Sequence, residues 1–141
     1  MTDTLSELVQ LLSGEVGVAE ISARVGPAIK DKAPPLGLEL RPRLKGVKAA
    51  RLSRSKGGEP FALELTLEAA ARPTVAALRE RFGAYEEAPA RLEQPRSVLF
   101  NPPPAARWKV VVIAELESRG GTVQDSDKVV SVALRRDRVK P

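Results

Sequence analysis

The stretch FALELTLE, residues 61–68, sets Phe61, Leu63, Leu65 and Leu67 against Ala62, Glu64, Thr66 and Glu68. Strict alternation places every second side chain on one face of a strand, so this segment buries one face and leaves the other to solvent. A strand of that kind belongs to an antiparallel sheet covered on one side. Leu36, Leu38 and Leu40 repeat the pattern upstream, and Pro42 ends that strand or marks a sheet edge. A strand over 47–53 joins FALELTLE through a turn at Lys56, Gly57 and Gly58. Downstream, 97–100 reads as a short strand. Residues 108–117 read as a central strand apolar on both faces through Ile113, and 127–135 as a strand with Val130, Val132 and Leu134 on one face. SRGG, from Ser118, starts the hairpin between these last two.

Helical spacing punctuates the strands. Leu5, Leu8, Val9 and Leu12 share one face, with Thr4 and Glu7 as a capping box and Gly14 as the stop. Val18, Ile21 and Val25 mark a shorter helix closed by Gly26 and Pro27, while Thr74 caps a third that carries Val75, Leu78 and Phe82 and ends at Gly83. VAEISARVG (18–26) and VAALRERFG (75–83) echo each other, and KGG and RGG turns follow in the same order. The expected architecture is α+β: an antiparallel meander sheet of about five to six strands with two to three short helices packed on one face. A single domain over 1–141 is expected; the echo fits either a duplicated αβββ unit in pseudo-repeat halves 1–70 and 71–141 or the helix-glycine and hairpin-glycine punctuation common to any α+β meander. One detail conflicts with simple duplication. Aligning the Gly-Gly turns sets Leu52 opposite Glu115 and reverses the buried face. In element order the chain resembles the tandem helix-plus-meander units of the beta-lactamase inhibitor protein and of small outer-membrane assembly lipoproteins; it lacks the acylated cysteine of the latter.

The chain contains no histidine and no cysteine. That removes the commonest general base, the Ser-His and Cys-His nucleophile systems, thiolate metal sites and disulfides. Neither a Walker-type phosphate loop nor a dinucleotide fingerprint is present. Ser53 and Lys56 fit S-x-x-K, but the partner motifs of that nucleophile system are missing, and the segment reads as strand and turn. Asp125 and Asp127 lack the spacing of a calcium loop and read as a polar turn, while Glu86 and Glu87 are neighbours in a loop, which says nothing of a catalytic pair. No catalytic residue, cofactor or metal ligand is expected.

Charge is more informative. The net charge is +5 and the pI about 9.9. Arg41, Arg43, Lys45, Lys48, Arg51, Arg54 and Lys56 occur with no acidic residue until Glu59, and on one strand pair they form a basic stripe suited to an acidic protein or to phosphates. Aromatic residues are only 4%, few for base stacking. Phe61, Phe82 and Phe100 are expected in the core, Tyr85 and Trp108 are candidate interface anchors, with the core as the favoured place for Trp108 at the start of a central strand, and RRDRVK, 135–140, reads as a solvated end. The longest apolar run, 110–114, is far too short for a bilayer, and the helical spacing behind Asp3 differs from a signal peptide, so a cytoplasmic protein is expected. The function expected is a non-catalytic protein-binding module of inhibitor, immunity or adaptor type, acting through an exposed sheet face and adjoining loops. A nucleic-acid-associated protein using the basic stripe is the alternative.

Overall fold

The computed structural model describes residues 1–31, 37–89, 95–104, 107–118 and 120–138; Leu36, Arg119 and the end of the RRDRVK segment lie outside them. The chain is α+β. Its described elements are α1 (Thr2–Ser13), α2 (Val18–Val25), β1 (Ala28–Asp31), β2 (Leu38–Leu40), β3 (Val47–Arg54), β4 (Pro60–Leu67), α3 (Val75–Phe82), β5 (Tyr85–Glu87), β6 (Ser97–Phe100), β7 (Trp108–Leu116) and β8 (Val129–Arg138). The strands form one sheet of eight in the order β1-β2-β3-β4-β8-β7-β6-β5, every neighbour antiparallel. Two helix-led meanders of four strands therefore meet along β4 and β8.

Six of these strands coincide with the alternating segments. The other two, β1 and β5, are the short outer strands, and they raise the expected five to six to eight. Each is three or four residues long, too brief to display a period. Each half of the sheet thus has four strands, preceded by α1 and α2 in the first half and by α3 in the second, in place of the expected αβββ.

Alternate residues of the strands meet the apolar helix faces in one core, which holds Leu5, Leu8 and Leu12 of α1, Ile21 and Val25 of α2, and Val75, Leu78 and Phe82 of α3. Helix α1 lies against β7, β8 and α3. It starts earlier than the capping-box pattern implies: the Leu5 N–H bonds to the Met1 carbonyl, so Thr4 falls inside the first turn. The Thr74 hydroxyl accepts the Ala77 N–H at 3.2 Å and caps α3 as expected. Between α2 and β1, Gly26 has φ +151° and lies so close to the Arg41 carbonyl that an added Cβ would sit 1.8 Å from its oxygen. Only glycine fits there.

Phe61 corrects the alternation reading. Ser53 pairs with Ala62 and Arg54 with Pro60, which leaves Phe61 as an extra residue in a bulge. Pro60 is buried in its stead and Phe61 is 45% exposed. Phe82 and Phe100 are buried as expected.

Candidate functional site

All three described helices contribute to the core on one face of the sheet, and no described helix covers the opposite face, whose residues range from exposed Arg51 and Thr66 through half-buried Ile113 and Ala133 to Val111, which is 3% exposed. Strand register defines what that face displays. One row of paired residues crosses the sheet from β2 to β5: Glu39, Arg51, Glu64, Ala133, Ile113, Leu99 and Glu86. A second row holds Ala49, Thr66, Ser131, Glu115 and Ser97. Along the first row the β2–β4 residues are charged and the β8–β6 residues apolar, while the second row is small and polar apart from Glu115.

Arg51 stands between two carboxylates, paired across the ladders with Glu39 on one side and Glu64 on the other; its guanidinium donates to Glu64 Oε2 at 2.8 Å. Arg135 on β8 is held by Asp137 two residues along the same strand, at 3.1 Å. Two depressions of about 410 and 270 Å³ on this face share Glu64 and Thr66, and together, as a trough, their linings reach across the strands from β2 to β6. Three carboxylates, of Glu39, Glu64 and Glu115, and one guanidinium, of Arg51, line it among the described residues.

The seven cations of the basic run occupy three places. Arg41, Arg43, Lys45 and Lys48 are exposed along the β2–β3 connection and the first residues of β3. Arg51 lies in the middle of the open face. Arg54 and Lys56 are at the far end of β3, Arg54 paired with Pro60 and Lys56 in the turn. The stripe becomes an exposed cluster at one end plus separate cations, because β3 alternates faces and is bulged near its start, at Lys48. Tyr85 is half-buried on β5, its ring 5.8 Å from that of Phe100 in an edge-on contact.

Trp108 opens β7 and has a partner that the sequence concealed. Arg136, expected in a solvated end, is part of β8 and only 3% exposed. Its guanidinium lies over the Trp108 ring, 4.1 Å from the centroid, and donates to the carbonyls of Leu12 and Gly14 at 2.8 Å each and of Pro60 at 3.1 Å. Two of these carbonyls belong to the C-terminal end of α1, where partial negative charge accumulates. Burial lowers the pKa of Arg136 from its ordinary value, while Glu15 and Glu59 act in the opposite direction. The Trp108 indole N–H is buried without a hydrogen-bond partner among the described residues. This cluster ties α1, the β3–β4 hairpin and the β7–β8 pair together.

Exposed ion pairs link the helices to their neighbours. Arg81 on α3 pairs with Asp3, and Arg24 on α2 with Glu7, both of α1. Arg79 grips Asp125 through two parallel hydrogen bonds, and the bond holds the Asp125 carboxyl below its usual pKa. The Asp127 carboxylate accepts the Gln124 N–H at 2.8 Å, so both aspartates act within the polar turn that the sequence indicates. No group of three or more acidic side chains suited to a metal ion occurs among the described residues, and no described helix is long and apolar enough to cross a membrane.

Comparison with protein-family models, curated proteins and solved structures returned no match. The likeness to the tandem-unit proteins therefore rests on element order alone.

Proposed function

We propose that this chain is a non-catalytic protein-binding module that acts through its open sheet face. The observation that carries the proposal is the row from Glu39 to Glu86, in which a charged half and an apolar half lie side by side on a face that no described helix covers. Mixed surfaces of this kind suit a protein partner better than a polyanion, because the trough sets three carboxylates against one guanidinium. The same row supports descent from a duplicated helix-plus-four-strand unit. Leu52 and Ala114 both face the core, in neighbouring cross-strand rows, so the buried faces of β3 and β7 agree although the Gly-Gly alignment sets Leu52 against Glu115.

Affinity capture with the wild-type chain and with Ala133→Arg tests the reading. Ala133 is partly exposed at the centre of the row, so the variant obstructs the face without entering the core. The expected result is a stoichiometric protein partner lost on Ala133→Arg with an unchanged urea midpoint. A partner retained by Ala133→Arg overturns the proposal.

A second reading, association with nucleic acid, is supported by the exposed cluster of Arg41, Arg43, Lys45 and Lys48. It predicts heparin retention that falls with salt and is lost on Lys45→Glu with Lys48→Glu. Retention unaffected by those changes removes it.

A further inference from the structure

Resting on the proposed use of the open face, we infer that its occupant is a basic amphipathic helix of a partner protein, lying across the strands in the trough. Direction, shape and charge carry the inference.

The trough runs from β2 through β3, β4, β8 and β7 to β6, at right angles to the ladder. Six strands at ~4.8 Å spacing give it a length of roughly 24 Å, which a helix of about 16 residues spans at 1.5 Å per residue. An extended peptide in that direction lies over side chains, beyond reach of the sheet's own N–H and C=O groups, and leaves its backbone without partners. A helix satisfies its backbone internally and offers one face to the surface. The second row, with Ala49, Thr66, Ser131 and Ser97, is low enough for a cylinder to approach closely.

Charge selects the chemistry. The molecule carries +5 overall, yet the trough is net acidic among its described side chains. Arg51 is already engaged by Glu64. Glu39, whose ladder neighbours are Lys30 on β1 and Arg51 on β3, has no ion pair or hydrogen bond among the described residues, and Glu115 has only a long contact from the Ser131 hydroxyl at 3.4 Å. Lysine or arginine side chains on the occupant complete these carboxylates, while its apolar residues cover Ile113 and Ala133 toward the other end. Charge of this sign repels acidic segments as well as attracting basic ones.

The test is selection of 16-residue peptides from a random phage-displayed library on the intact protein, with Ala133→Arg as counter-selection. The expected binders carry excess Lys and Arg in helical spacing, gain helical circular dichroism on binding, and weaken at least tenfold on the double change Glu39→Lys and Glu115→Lys. Binders that need an open Ala133 face but are neutral or acidic, or that ignore the double change, overturn the basic-helix inference and leave the face reading standing. Binders indifferent to Ala133→Arg count against both. Absence of any binder overturns the helix inference, the face reading then being judged by capture alone. A concentration-dependent dimer lost on Ala133→Arg identifies a second copy as the occupant and overturns the inference.

Discussion

The Arg136 guanidinium lies 4.1 Å from the centre of the Trp108 ring and donates to three backbone carbonyls, with no carboxylate among its hydrogen-bond partners. A buried cation survives on such terms because the carbonyls and the ring's negative face replace water.

Arg136→Met removes at once the donors to the Leu12, Gly14 and Pro60 carbonyls. It is expected to cost about 2–4 kcal/mol in urea unfolding. Arg136→Lys recovers less than half of the loss, since one ammonium cannot reproduce a planar fork aimed at three oxygens. Equal stability of Arg136→Met and wild type contradicts the clamp.

Gly26→Ala brings a Cβ to 1.8 Å from the Arg41 oxygen at a φ of +151°. The expected loss is about 3 kcal/mol or more, or failure to accumulate folded protein. Gly57→Ala, with nothing within 4 Å of the added Cβ, stays within about 0.5 kcal/mol of wild type. Thermal melts of the pair distinguish a required glycine from a tolerated one.

Phe61→Ser and Leu63→Ala test the bulge in β4. Leu63 is fully buried and its truncation costs about 2–5 kcal/mol. Phe61, turned outward, costs less than about 1 kcal/mol. Comparable losses from the two changes restore the simple alternation and remove the bulge.

Acid titration probes the Arg79–Asp125 pair. The hydrogen bond lowers the folded-state pKa of Asp125 from 3.8, so its contribution is present above 3.8 and is lost as pH falls through the folded value. The stability difference between wild type and Asp125→Asn is therefore expected at neutral pH, shrinking on acidification below 3.8 and in high salt, because the pair is exposed. A difference that persists at pH 2 assigns the effect to the turn instead of the charge.

Most of the fold was legible where a segment is long enough to show its period. Leu63, Leu65 and Leu67 disclosed β4, Leu5, Leu8 and Leu12 disclosed α1, and Thr74 disclosed the start of α3. The three residues of β5 and four of β1 display no period, and their pairing is decided by neighbours distant in the chain. Phe61 was misplaced because a bulge reverses the face without altering composition. Arg136 was hidden because alternation assigns a charged residue to solvent, and only the folded chain brings the α1 carbonyls to it. The open-face row was invisible for a related reason: Arg51 and Glu64 meet through a local hairpin, but Glu64 and Ala133 become neighbours only through the β4–β8 seam.

That seam and the Arg136 clamp bear on how the chain emerges from a ribosome. Leu12 and Arg136 are 124 residues apart, an interval of roughly 6–25 s at ~5–20 residues per second. Until β7 and β8 are synthesised, Leu5, Leu8 and Leu12 lack the strands they pack on, and β4 presents an unpaired edge of a kind that invites other nascent chains. A product stalled before residue 129 keeps the first meander with that edge bare, and it is the form of this chain most exposed to aggregation.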